Sequence, residues 1–241
     1  MRSHQPSIYQ LYLNNRRLGG VGSRGGRITQ NGASELDRDS DGMSKPIPES
    51  VSRYEAVCFD LFGTLVEVSD QRGVWRDVLA LVPCEKRRQF GHRILRENRS
   101  MKNFVSELYP PEDTSRWKTI ADNTAAEARS TQMRAGMSCI WSKLQRNGQK
   151  LGICSNLSQD YGPPAIEQLP TLPDVRALSH ELGCAKPDPE IYQYVFDSVG
   201  YRPELVLFFG VTPKTDFLGP RRLGIDAMHI REFEKLFSVP G

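Results

Sequence analysis

Ala56-Val57-Cys58-Phe59-Asp60-Leu61-Phe62-Gly63-Thr64-Leu65-Val66 is the stretch on which the fold turns. Four apolar residues run into a single carboxylate, Asp60, and a glycine follows almost at once. A short apolar run bounded in this way suits a strand buried on both faces of a parallel sheet. Open α/β sheets place their ligands beyond the carboxyl ends of the strands, which is where Asp60 would stand. The same residues also fit a core strand whose Asp caps the next turn, so the reading depends on the rest of the chain.

Downstream, the pattern changes to helix. Val74, Trp75, Val78, Leu79 and Val82 fall on one face at three- and four-residue spacings. Phe90, Ile94 and Leu95 continue the pattern in a strongly basic segment, Met101–Leu108 is short, and Pro110-Pro111 breaks it. A longer helix is expected from Glu112 to near Arg129, and another through Met137, Ile140, Trp141 and Leu144 to an Asn147-Gly148 cap. Strands are then expected at Lys150–Cys154, Val175–Leu178, Leu205–Phe209 and Ala227–Ile230. Helices are expected at Pro164–Leu169, Pro189–Val199 and Thr215–Leu223. Regular alternation of this kind argues for a parallel, doubly wound sheet. The expected architecture is therefore α/β, a Rossmann-like core formed by residues 51–68 and 148–241. Residues 69–147 form an α-helical cap inserted after the first strand.

Composition narrows the function classes. The formal net charge is +3 and the basic residues are spread along the chain. Nucleic-acid binding, which needs a basic stripe, is not expected. No apolar run approaches the ~20 residues of a membrane span. Cys58, Cys84, Cys139, Cys154 and Cys184 are odd in number and never spaced C-x-x-C. They read as the reduced thiols of a cytoplasmic protein rather than a disulfide or zinc framework. His92, His180 and His229 have no metal-ligand spacing, and Cys154 is read as a buried structural thiol. Residues 1–50 are rich in Gly, Asn, Arg and Ser without periodicity and read as a disordered tail. Gly20-Val21-Gly22-Ser23-Arg24-Gly25 matches a dinucleotide fingerprint as a string, but lacks the strand before it and the helix after it. The Arg-containing, acid-free beginning of the tail mildly resembles a transit peptide. Met43 is the preferred translation start.

Four patches carry a resemblance. They are Phe59-Asp60-Leu61-Phe62-Gly63-Thr64-Leu65; Ile153-Cys154-Ser155-Asn156; Cys184-Ala185-Lys186-Pro187-Asp188-Pro189-Glu190-Ile191-Tyr192; and Phe208-Phe209-Gly210-Val211-Thr212-Pro213-Lys214-Thr215-Asp216. In this order the chain resembles the haloacid dehalogenase superfamily from about Tyr54 to Ile230. The resemblance implies that Asp60 is a nucleophile and that Ser155 and Asn156 hold a substrate oxygen. It also implies that Lys186 neutralises nucleophile and substrate, and that Asp216 is the second acidic residue of the last motif. Phe62, Thr64 and Tyr192 join the candidate substrate-binding residues. An exposed Asp60 would be ionised at neutral pH without tuning, its reference pKa being about 3.9.

Departures from the family pattern shape the functional expectation. Family phosphatases carry a second Asp at the position of Phe62 and a metal-binding Asp at the position of Val211. Neither Phe nor Val can transfer a proton or bind a hard cation. Alkyl phosphate hydrolysis should suffer, whereas a halide leaves without a proton. The expectation is thus an aspartate-nucleophile hydrolase of a small anionic substrate, metal-independent and dehalogenase-like. Arg76, or Arg72, is the candidate clamp for a substrate carboxylate. Val211 and Pro213 stand where family dehalogenases have Ser and Asn. Two alternatives stay open: a weak Mg²⁺-dependent phosphatase, with Asp60, the Phe62 carbonyl and Asp216 as ligands, or a catalytically degenerate binding protein.

Overall fold

The computed structural model describes residues 47–109 and 114–237. The readings of the tail through residue 46 and of Met43 as a start, the Pro110-Pro111 break and the Glu112 helix start fall outside the described residues. Glu49–Ser52, at the end of the expected tail, is a single helical turn with Val51 buried, and Ile47 packs against the main core.

Five parallel strands form the central sheet in the order β5-β4-β1-β6-β7. They are β1 (Ala56–Phe59), β4 (Lys150–Ser155), β5 (Val175–Leu178), β6 (Val206–Gly210) and β7 (Asp226–His229). β1 lies in the middle, with Cys58 opposite Gly152 on one side and Phe208 on the other. Successive side chains of a strand point to opposite faces, and β1 distributes its apolar residues accordingly. Val57 and Phe59 join a cluster with Leu151, Ile153, Leu207 and Phe209. Ala56 and Cys58 join the opposite cluster with Cys154, Val206 and Phe208. The first face is covered by helices Met137–Arg146, Gly162–Glu167 and Ile230–Phe237, whose Phe233 ring stacks on Phe209 at 3.9 Å between centroids. The second is covered by helix Pro189–Val199. This is the two-sided burial anticipated for a parallel sheet.

The insertion after β1 begins with a turn in which Gly63 takes φ +82° and its N–H donates to the Val66 carbonyl. Positive φ there suits glycine. A short antiparallel ribbon of β2 (Val66–Val68) and β3 (Thr131–Met133) frames the segment. Three-residue strands carry too little periodicity to stand out in the sequence. Helices Val74–Ala80, Arg87–Arg96, Met101–Ser106 and Thr114–Arg129 lie between the two strands. Their apolar faces form a separate cluster that includes Trp75, Phe90, Ile94 and Phe104. Helix Met137–Arg146 does not share that cluster. Met137, Ile140, Trp141 and Leu144 pack beneath the sheet. Its periodicity showed an apolar face but not which surface would cover that face, so the sequence-based insertion ran too far toward the carboxyl end.

The expected helix over Thr215–Leu223 is a second difference. Pro213–Leu218 is a π-helical turn, followed by one α turn over Gly219–Arg221. Wide turns of this kind recur at functional sites, and this one presents Asp216 to the sheet edge.

Candidate active site

The parallel strands bring Asp60, Ser155 and the Gly210–Asp216 segment to one edge of the sheet. Asp60 follows β1 directly, and its N–H extends the ladder by donating to the Phe209 carbonyl at 2.8 Å. Ser155 ends β4. Lys186 arrives from the loop before helix Pro189–Val199, and Asn156 fixes it there. The Asn156 amide donates to the Lys186 carbonyl at 2.7 Å, while its Oδ1 accepts from the Lys186 N–H at 2.8 Å. Asn156 borders the pocket, but its amide is engaged in holding the lysine loop.

Lys186 Nζ donates to Asp60 Oδ1 at 2.9 Å and to Asp216 Oδ1 at 2.8 Å. Ser155 Oγ also donates to Asp60 Oδ1, at 2.9 Å, whereas among the described residues Oδ2 receives only Thr64 Oγ1, at 3.5 Å. Asp60 is 6% exposed and Lys186 3%, so the nucleophile candidate is buried rather than bare. Burial pushes the Asp60 carboxyl above its usual range, with Lys186 opposing that rise and Asp216 adding to it. Burial alone would lower Lys186, but Asp216 and Asp60 together hold its ammonium well above the usual lysine range. One ammonium and two carboxylates leave a net charge of about −1 when both acids are ionised.

Asp216 has no acceptor capacity to spare. Its Oδ1 accepts from Lys186 Nζ and from Thr215 Oγ1 at 3.0 Å. Its Oδ2 accepts from the N–H groups of Val211 and Thr212, at 3.0 and 2.8 Å. An ionised carboxylate offers about four lone-pair sites, and these four donors fill them. The residue that could have served with Asp60 as an Mg²⁺ ligand is therefore saturated by protein donors. An oxygen-seeking cation would also meet the Lys186 ammonium, already bonded to both acids, and the aliphatic Val211 beside them. This donor set does not fit Mg²⁺. Gly210 is required by the same closeness, because a Cβ there would lie 2.5 Å from the Asp216 side chain.

Other candidates divide clearly. Phe62 lines the pocket and meets the Tyr161 ring edge-on at 5.9 Å. Tyr192 lies below the site, donating its hydroxyl to the Thr215 carbonyl at 2.5 Å, and so braces the π turn instead of lining the pocket. Arg76 points outward to Asp77 with a side chain 69% exposed, and Arg72 pairs with Asp70 and Asn123. Neither lines the pocket; a helix start near the first motif does not aim every side chain on it inward. Cys154 is buried, which pushes its thiol up to about 12 and leaves it un-ionised at neutral pH. Among the described residues no three His, Cys, Asp or Glu side chains form a cluster able to hold a metal, and no helix is long and apolar enough to cross a membrane.

Trp75, Leu157, Ser158, Tyr161, Thr212 and Thr215 line the pocket without having been expected there. Trp75 was legible only as part of an apolar helix face. Tyr161 donates its hydroxyl to Glu127 of the insertion at 2.7 Å, and Met101 N–H donates to Asp160 at 2.6 Å. The space left between core and insertion is about 20 Å³, room for about one water molecule.

Comparison with known proteins agrees with this geometry. The family of haloacid dehalogenase-like hydrolases matches residues 54–224, well over half of the chain. A haloacid dehalogenase family enzyme of Bacteroides thetaiotaomicron, solved as a magnesium complex, is similar at 16% identity and TM-score 0.58, covering 73% of this chain and 93% of that one. A dehalogenase solved as an intermediate complex is similar at 20% identity and TM-score 0.53, covering 73% and 84%. At these identities the two structures speak for the fold, and the family match speaks for the kinship. With Asp60, Ser155, Lys186 and Asp216 converging on one strand edge, this chain belongs to the haloacid dehalogenase-like hydrolases.

Proposed function

We propose that the protein is a metal-independent, dehalogenase-like hydrolase in which Asp60 attacks a carbon of a small monoanionic substrate. The supporting observation is the unequal loading of the carboxylate oxygens. Asp60 Oδ1 accepts from two close donors and Asp216 is saturated, while among the described residues Asp60 Oδ2 has only the long bond from Thr64. Oδ2 is therefore the oxygen with electron pairs to give. It forms the C–O bond as the C–X bond breaks, and X leaves with the electron pair as halide, needing no proton. Water then adds to the Asp60 carbonyl carbon of the ester and the acyl C–O bond breaks. Asp60 returns as carboxylate, a hydroxy acid is released, and one proton passes to solvent per turnover. Forming and then breaking a covalent ester divides one difficult displacement into two easier ones.

Phosphate transfer is less favoured by the same residues. Phe62 offers no proton where general acid catalysis contributes typically about 10²–10⁴-fold. A site of net charge −1 repels a monoanion by about 4 kcal/mol at about 4 Å, and a dianion by about twice that, for an effective dielectric near 20. The insertion between β2 and β3 acts in this reading as a cap, closing over the site through Trp75 and tied to the core by Glu127–Tyr161 and Arg96–Asp188. The free cysteines support a reducing, cytoplasmic setting. The test is a panel of 2-haloacids and aryl phosphates, with and without Mg²⁺, on wild type and Asp60→Asn. Halide release without metal, lost in Asp60→Asn, is expected. Mg²⁺-stimulated phosphate release would make the protein a phosphatase instead, and ligand binding without turnover would make it a binding protein.

A further inference from the structure

Two of the pocket walls carry buried polar atoms with no partner among the described residues. Trp75 is 8% exposed and its indole Nε1 has no acceptor; Ser158 is fully buried and its Oγ has no partner. Both residues line the pocket that contains Asp60 and Lys186. The two come from different parts of the fold, Trp75 from the insertion and Ser158 from the loop after β4.

Each departs from the ordinary behaviour of its residue type. Buried indoles usually find an acceptor, and Trp141 does so by donating to Thr171 Oγ1 at 3.0 Å. Ser158 occupies the N-cap position of the Gln159–Tyr161 turn, where a serine normally accepts from the backbone, yet its side chain makes no cap bond. Leaving such groups unpaired away from water is costly unless another molecule supplies the partner. Indole N–H donates only, so the partner missing at Trp75 is an acceptor, and a serine hydroxyl can donate to the same group. Arg72 and Arg76 point away from the pocket, and Lys186 already spends two of its three protons on Asp60 and Asp216.

We propose that Trp75 Nε1–H and Ser158 Oγ–H form the substrate-carboxylate subsite, two neutral donors in place of a guanidinium clamp. This rests on the reading of the Asp60 pocket as the place where a small carboxylate substrate is turned over. Neutral donors let a monoanion enter beside two acids without an additional buried cation. Because one donor belongs to the insertion and the closed cavity holds only about one water molecule, the insertion must move off the core to admit substrate, and the subsite is completed as it settles back over the bound carboxylate.

The experiment follows the indole ¹H–¹⁵N resonances of the full chain during titration with glycolate, with bromide and inorganic phosphate as separate arms. Loss of one resonance in Trp75→Phe assigns Trp75. Glycolate should shift the Trp75 resonance and leave that of Trp141 in place. Trp75→Phe and Ser158→Ala should each weaken glycolate binding about tenfold, the loss expected for one hydrogen bond to a charged group. No displacement of Trp75 by glycolate at any concentration, displacement by bromide or phosphate alone, or unchanged affinity in both variants would overturn the proposal. Wild-type titration needs no variant to fold. If glycolate binds as described but no halide is released, the subsite stands and the catalytic reading fails. If Asp60-dependent turnover occurs with unchanged KM in both variants, the reverse holds.

Discussion

Replacing Lys186 by methionine removes the ammonium that lies 2.9 Å from Asp60 and 2.8 Å from Asp216. The facing oxygens are then close to one another with nothing between them. At about 6 Å and an effective dielectric near 20, two carboxylates repel by about 3 kcal/mol. Breaking a buried ion pair from one side costs about 3–5 kcal/mol for the charge left behind. A loss of about 4 kcal/mol in unfolding free energy is expected near pH 8. The pH dependence separates this cause from simple loss of packing. In wild type, Lys186 is held well above its usual range, so its contribution is complete below the unfolded lysine pKa and is lost only in strongly alkaline solution. Asp60 is already raised, and without Lys186 it is raised further. A group raised in the folded state contributes stability at low pH that is lost as pH climbs through the folded value. The deficit of Lys186→Met should therefore be smaller near pH 5 than near pH 8. Urea denaturation followed by tryptophan fluorescence at both pH values measures it. Adding Asp60→Asn to Lys186→Met should recover part of the loss near pH 8, since one buried charge is removed. A deficit that is equal at the two pH values, or below about 1 kcal/mol, would refute the electrostatic account.

Further outcomes are expected elsewhere in the molecule. Gly210→Ala places a Cβ 2.5 Å from the Asp216 side chain, and overpacking of this kind should cost about 1–3 kcal/mol in urea denaturation while displacing Asp216. Under native conditions a thiol reagent should modify the exposed Cys84 and Cys139 quickly, and leave Cys58 and Cys154 untouched until unfolding. Burial raises both of the latter thiols, Cys154 to about 12, so their thiolate is scarce at neutral pH and inaccessible. Tyr192→Phe deletes the donor to the Thr215 carbonyl. A loss of about 1–3 kcal/mol is expected, with activity reduced through a looser π turn. Thermal shift assays with and without MgCl₂ should show a metal-dependent rise in Tm for Val211→Asp that exceeds any in wild type, because only the variant adds a carboxylate beside the two acids.

The strand–helix alternation was readable because burial on both faces and three- to four-residue spacing are local properties. The expected strands at Lys150–Cys154, Val175–Leu178 and Leu205–Phe209 lie within a residue of the observed ones, and helix Pro189–Val199 has the same limits. The β2–β3 ribbon escaped notice because each of its strands is only three residues long. The helix Ile230–Phe237 also went unread, its first residue having been assigned to the preceding strand. Arg76 looked well placed along the chain, but the helix turns it to solvent.

From its residues alone the chain dictated a parallel sheet with Asp60, Ser155 and Asp216 near strand ends, since an apolar run and its first polar residue are adjacent in sequence. Also legible was the loss of two carboxylates at Phe62 and Val211, a matter of side-chain identity. What tertiary structure decided was how the remaining charges are satisfied. Asp216 is filled partly by the backbone N–H groups of Val211 and Thr212, and every non-proline residue carries such a donor, so no residue type announces it. Asn156 borders the pocket while its amide holds the Lys186 loop, and Trp75 and Ser158 are brought to one cavity from distant segments. Hydrogen-bond satisfaction is a sum over groups that meet only when the chain has folded, and for that reason it could be counted only in three dimensions.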